Sequence, residues 1–222
     1  IFMEGENWEK KFSKELGEIA EENSLKYIIC NKIDDNISKY CIKLDASLML
    51  GIGVWRNILE DVFINCTEFG YLSLHGTALP AYRGFAGINW QIINGEKEIK
   101  MRGFRLGKGV DDGDLITFNK GQILEYSINI DNEKHLEEIF NEYEKLHIEA
   151  CNKILDLVIL GDIKFIKQEV KNSTFSCYRG DEDSEINWAQ NTNNIFNLIR
   201  AVSKPYKGAF TFFKGEKIII WR

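Results

Sequence analysis

A chain of 222 residues with 44% hydrophobic residues carries enough apolar material to bury one substantial core and a smaller second unit, which makes it a globular protein. Its formal net charge of -6 argues against a general affinity for phosphate backbones, so nucleic acid is not the expected partner. Five cysteines, at 30, 41, 66, 151 and 177, include no Cys-x-x-Cys pair and leave one over; with no apolar run near bilayer length and no signal-peptide pattern, a cytoplasmic enzyme without metal, disulfide framework or membrane partner is expected.

Ile1-Phe2-Met3 reads as the end of a strand. From Trp8 onward Phe12, Leu16, Ile19 and Ala20 fall at helical spacing among Lys and Glu, predicting an amphipathic helix to about Glu22. Tyr27-Ile28-Ile29-Cys30 reads as a strand, and residues 31–38 as a polar loop with a candidate helix start. Residues 45–53 pass from an acid through Leu48-Met49-Leu50 to Gly51-Ile52-Gly53, the pattern of a fully buried parallel strand ending in a turn, and residues 54–64 read as helical. The two glycines lack the third glycine or the Lys-Ser/Thr ending of a phosphate loop.

The segment from Gly70 to Asp114 organises the rest. An apolar run delivers His75 into Gly76-Thr77, followed by Leu79-Pro80 and Tyr82-Arg83-Gly84, which is how a buried strand presents one ionisable side chain to a loop-lined cleft. A hydrophobic segment at 88–93 leads through the turn Asn94-Gly95-Glu96 to a strand at 99–106 and the acidic loop Gly109-Val110-Asp111-Asp112-Gly113-Asp114, which can return a carboxylate to the histidine. Residues 128–130 read as a strand, Asp131-Asn132 as an N-cap, and residues 133–161 as a long helix on which His135 and His147 are solvent-facing or packing residues. After Gln168 the chain turns polar through 172–185, forms a short helix over 194–202, and ends in strands at 211–213 and 217–221. Strands alternating with helices imply an α/β fold with an open, mostly parallel Rossmann-like sheet and helices on both faces, whose ligands sit beyond the strands' carboxyl ends. Both ends, at Ile1 and on the apolar run to Trp221, look cut from something longer.

Three pieces, in order, carry a family resemblance: Ser73-Leu74-His75-Gly76-Thr77 with Leu79-Pro80, Tyr82-Arg83-Gly84 with Ile88-Asn89-Trp90, and Val110-Asp111-Asp112-Gly113-Asp114. Together they resemble the 10-formyltetrahydrofolate-dependent formyltransferases, which include the methionyl-tRNA, glycinamide ribonucleotide and amino-sugar-nucleotide enzymes. The resemblance implies catalytic roles for His75 and Asp111, and places Ser73 where the family usually has an asparagine. It implies that Gly53, Val54, Trp55, Arg56 and Asn57 contact the formyl donor, 10-formyltetrahydrofolate. Thr77, Tyr82 and Arg83, on the loop after the histidine, are the candidate substrate contacts, to the acceptor's phosphate or the folate tail, with a structural arginine as the equal alternative for Arg83. Ile199-Arg200-Ala201-Val202 with Pro205-Tyr206 and Gly208-Ala209-Phe210 resembles the linker and start of the C-terminal subdomain of the amino-sugar-nucleotide enzymes. Residues 1–170 are thus the expected catalytic domain, lacking its first strand and helix, and residues 171–222 the linker and start of a small β-rich subdomain.

Formyl transfer to an amine passes through a tetrahedral oxyanion, so one group must take the amine proton and another must stabilise the developing charge. His75 beside Asp111 suits the first task. On residue types alone, His75 reads better as a core histidine bonded to backbone and Asp111 as a solvated turn acid; the joint motif favours the catalytic pair. Ser73 is a shorter donor than asparagine for the second task, and Asn89 is an alternative donor; Asp112 and Asp114 read as turn-formers. The expected substrate is a nucleotide-linked amino sugar, with methionyl-tRNA as an alternative acceptor and a weakened folate- or nucleotide-binding protein as an alternative of another class. A homodimer is one assembly the sequence permits.

Overall fold

The computed structural model describes residues 1–3, 12–30, 35–52, 66–131 and 134–221. The chain opens with β1 (Phe2–Met3), α1 (Ser13–Glu22), β2 (Ile29–Cys30), α2 (Asp35–Lys43) and β3 (Met49–Gly51). The site region follows as β4 (Tyr71–His75), β5 (Arg83–Gly84) and α3 (Gly87–Ile93). Next come β6 (Glu98–Arg105), β7 (Leu115–Phe118), β8 (Gln122–Ile123), β9 (Glu125–Asn129), α4 (Leu136–Ile159), β10 (Lys164–Ile166) and β11 (Phe175–Ser176). The last elements are α5 (Thr192–Ala201), β12 (Ala209–Phe213) and β13 (Glu216–Ile220).

The central sheet runs β10-β7-β6-β4-β3, with β8 on β7 and β9 on β6. Among the described residues only β3 and β4 pair in parallel within it; β4–β6, β6–β7, β6–β9, β7–β8 and β7–β10 are antiparallel. The expectation of a mostly parallel sheet is therefore corrected. A parallel connection needs a crossover of about a dozen residues or more, usually helical. Residues 106–114 and 119–121 hold no helix, and Asn119, Lys120 and Gly121 all take left-handed φ angles, so these segments turn back as hairpins. A small C-terminal β unit does follow, as the antiparallel β12–β13 ribbon.

Alternation along β4 divides the core in two. Leu72 and Leu74 face Met101 and Ile116 and the α4 residues Ala150, Cys151, Ile154 and Leu157. Tyr71, on the opposite face, packs with Ile37 and Cys41 of α2 and with Met49. Helices thus cover both faces, and His75 falls on the Tyr71 and Ser73 face at the carboxyl end of the strand, in register with Arg102. The expected first helix is described over Ser13–Glu22, residues 8–11 lying outside the described residues, but Phe12, Leu16 and Ile19 are exposed while Ser13, Gly17 and Ala20 are buried, with Gly17 against the Tyr27 ring. Small residues let α1 approach that ring closely, which overrides the apolar stripe. The long helix begins at Leu136 with His135 as its N-cap, later than the expected start at 133, and the Glu138 carboxylate accepts from the His135 backbone N–H at 3.0 Å; Asn132 lies outside the described residues. Among the described residues no helix is long and apolar enough to cross a membrane.

Candidate active site

Two loops and a strand end converge on His75. The loop after β4 carries the ring's partner: Nε2 lies 3.0 Å from the Tyr82 carbonyl oxygen. A carbonyl only accepts, so Nε2 carries the proton and Nδ1 presents its lone pair. Nδ1 lies 3.6 Å from Asp111 Oδ2, close enough for an ion pair when the ring is protonated but beyond a good hydrogen bond. The Phe104 ring meets the imidazole edge-on at 6.2 Å between centroids. Both side chains are mostly buried and retain some exposure.

The loops are held in conformations that non-glycine residues seldom adopt. Tyr82, Ala86 and Asp111 have φ of 57°, 52° and 47°, each at a cost of about 1–3 kcal/mol that the surrounding bonds must offset. The Thr77 hydroxyl, fully buried, donates to the Ala81 carbonyl at 2.7 Å and closes the turn that ends at Tyr82. The Tyr82 backbone N–H donates to Thr174 Oγ1 at 2.9 Å, and its phenol donates to Glu96 while accepting from Asn94. Burial pushes that phenol's pKa above its ordinary value, and Glu96 adds to the rise.

Asp111 is fixed at both ends. Its Oδ2 accepts from the Gly84 backbone N–H at 2.8 Å, and its carbonyl accepts from Gln168 Nε2 at 2.8 Å. Gly84 has φ +101°, and a Cβ there would stand 2.7 Å from the Ser176 carbonyl, so the close β5–β11 pairing needs glycine. Arg83 is buried, donates to Gln168 Oε1 through Nε and Nη2 at 3.3 and 2.8 Å, and lies 6.0 Å from the Phe175 ring centroid. On β6, Arg102 donates to Glu125 at 2.5 Å and also to the Leu79 carbonyl, anchoring the loop from below.

The remaining sequence candidates fall as follows. Ser73 lies buried on the His75 face, with its hydroxyl donating to the Gly51 carbonyl at 3.3 Å. Asn89 is turned away, its amide donating to the Ala201 carbonyl at 2.7 Å. Asp112 accepts from the Gly109 backbone N–H as a turn-former does, whereas Asp114 pairs with Arg105 at 2.7 Å. Gly53, Val54, Trp55, Arg56 and Asn57 lie outside the described residues. Among the described residues no group of three His, Cys, Asp or Glu side chains is placed to hold a metal. Sequence reasoning missed Gln168, Glu96 and Thr174: each is an ordinary polar residue within a polar stretch, and only the fold brings it to the loops.

Comparison with known proteins gives a consistent picture. A family model described as "Formyl transferase" matches residues 15–149, and one described as "Formyl transferase, C-terminal domain" matches residues 180–222. The bifunctional polymyxin resistance protein ArnA of Wigglesworthia glossinidia brevipalpis is 32% identical over 183 residues, covering 82% of this chain and 27% of that protein. The chain thus spans about a quarter of the length of this curated relative. Among solved structures, an N-formyltransferase from Helicobacter canadensis, in complex with folinic acid and dTDP-3-aminofucose, aligns with a TM-score of 0.69 at 20% identity, over 97% of this chain and 72% of its own. Methionyl-tRNA formyltransferase from Clostridium thermocellum aligns with a TM-score of 0.66 at 22% identity, over 97% of this chain and 88% of its own. At such identities both share the fold.

Proposed function

Since this chain belongs to the folate-dependent formyltransferase family, we propose that it moves a formyl group from 10-formyltetrahydrofolate to the amine of a nucleotide-linked amino sugar. The observation that carries the reading is the His75 imidazole, with Nε2–H tied to the Tyr82 carbonyl and Nδ1 left as a base beside the Asp111 carboxylate. The acceptor nitrogen attacks the formyl carbon, giving a tetrahedral oxyanion. Its proton passes to Nδ1, where the imidazolium is stabilised by Asp111. The oxyanion then collapses, the bond from the formyl carbon to the donor's N10 breaks, and the imidazolium returns its proton to N10, so that a formamide and tetrahydrofolate leave and neutral His75 is restored.

The folate donor and the sugar acceptor are supported by the folinic acid and dTDP-3-aminofucose bound to the Helicobacter canadensis protein. The similarity to Clostridium thermocellum methionyl-tRNA formyltransferase supports tRNA as a second acceptor reading. A net charge of -6 disfavours it, because tRNA binding draws on cationic contacts to phosphates. Gly53 to Asn57 remain the proposed donor contacts, and Thr77, Tyr82 and Arg83 shape the acceptor side by holding the loop.

The test is incubation of the purified protein with 10-formyltetrahydrofolate and a panel of nucleotide-linked amino sugars and methionyl-tRNA, following tetrahydrofolate release and product mass. A sugar product heavier by one formyl group is expected, with loss of at least about a hundredfold in His75→Ala. Formylation of methionyl-tRNA alone would replace the sugar with tRNA as acceptor. Folate binding without release for any acceptor would leave a binding protein.

A further inference from the structure

We propose that Gln168 is a positioning residue for this transfer, its buried carboxamide fixing the Asp111 backbone so that the carboxylate stands beside His75. The inference rests on the reading of His75 and Asp111 as the reacting pair. β10 runs antiparallel to β7 with Ile166 opposite Leu115, and continuing that register sets Gln168 opposite Gly113, beneath the acidic loop. There Nε2 donates to the Asp111 carbonyl at 2.8 Å and to the Gly113 carbonyl at 2.7 Å, while Oε1 accepts both Arg83 bonds. A carboxamide has two N–H donors and an oxygen with two lone pairs, and here every one is used.

These bonds close a ring. Arg83 leads covalently to Gly84, whose N–H holds the Asp111 carboxylate, and the Asp111 carbonyl returns through Gln168 to Arg83. Asp111 cannot leave its left-handed conformation without breaking one of these contacts; aspartate enters that region more readily than most residues, but still at a cost that the contacts offset. Gln168 is 8% exposed, so water does not take over its bonds when they are lost. With the amide removed, Asp111 relaxes toward ordinary φ values and its carboxylate moves off the imidazole. The amide acts through Asp111, not on the reacting atoms.

Gln168→Met keeps the side chain's length and removes its hydrogen bonds. The expected result is a kcat lower by on the order of 10–100-fold with donor KM within about twofold, and an acid limb of the pH–rate profile displaced as it is in Asp111→Asn. In the Asp111→Asn background the same substitution should cost less than about threefold more. An equal loss in both backgrounds, or a lower Tm with unchanged kcat, would overturn the proposal. If the Met variant does not fold, Gln168→Glu retains the Arg83 partner and opposes two carbonyls with an oxygen; wild-type kcat in that variant is the overturning result. Nitrogen-15 NMR of the His75 ring, recorded without substrate, separates this idea from the transfer reading. A Gln168→Met spectrum matching Asp111→Asn upholds the clamp even if no acceptor is formylated, and one matching wild type sinks it.

Discussion

Ser73 has a single proton to donate, and the fold directs it at the Gly51 carbonyl across the β3–β4 pair. A developing oxyanion would have to compete with that bond. Ser73→Ala distinguishes the two uses. If the hydroxyl serves only the strand pair, kcat changes by less than about threefold and stability drops by about 1 kcal/mol, the net worth of one hydrogen bond. If it re-aims at the oxyanion, kcat falls by about a hundredfold or more. The geometry favours the first outcome, read by kcat and thermal denaturation side by side. Local pattern set His75 at the end of an apolar strand and Asp111 in an acidic loop, but the reading of the two as a pair rested on the three-piece family resemblance; the structure sets them 3.6 Å apart. The partners of Ser73, Arg83 and Asp111 were not legible, since Gly51 and Gln168 lie tens of residues away and the hydrogen bonds between them exist only after folding.

The elements around the site were legible where side-chain periodicity governs them and illegible where turn geometry does. β4 and the body of α4 follow apolar patterns, whereas β12 starts at Ala209, two residues before the expected strand at 211–213. Strand direction follows no such pattern, because it depends on whether residues 106–114 and 119–121 cross over or fold back, and an acidic, glycine-rich stretch permits either reading until the hairpins are seen. β3 shows how tightly its parallel pair with β4 is built. A Cβ on Gly51 would stand 2.2 Å from the Tyr71 hydroxyl and 2.5 Å from its ring, which is itself buried. Gly51→Ala therefore forces the ring or the strand to shift and should cost about 1–3 kcal/mol. In a chain of this size that lowers Tm by about 2–4 °C per kcal/mol. Tyr71→Phe removes the nearer of these contacts and should recover part of the loss when combined with it; an undiminished loss in the double variant would place the strain elsewhere.

Over the whole molecule, one half-buried histidine couples global stability to pH. His147 sits on α4 just before the run Ala150, Cys151, Ile154 and Leu157 that packs on the sheet, with its ring edge against Tyr143 at 5.6 Å between centroids. Its Nε2 is buried and has no hydrogen-bond partner among the described residues, and burial lowers its pKa below the ordinary 6.5. The folded state therefore binds less proton than the unfolded chain once pH falls below about 6.5, where an exposed histidine charges. Stability drops with pH in that range, and the loss from this group levels off only below the folded pKa. His147→Phe keeps a ring against Tyr143 and removes the titration. Between pH 7.5 and pH 5.5 wild-type Tm should fall further than that of the variant, each kcal/mol of linkage appearing as about 2–4 °C. Carboxylates titrating in both proteins cancel in the difference. If the two Tm values stay equally spaced at both pH values, acid sensitivity comes from another group, and the ring is protonated or partnered in the folded protein in a way its buried nitrogen does not suggest.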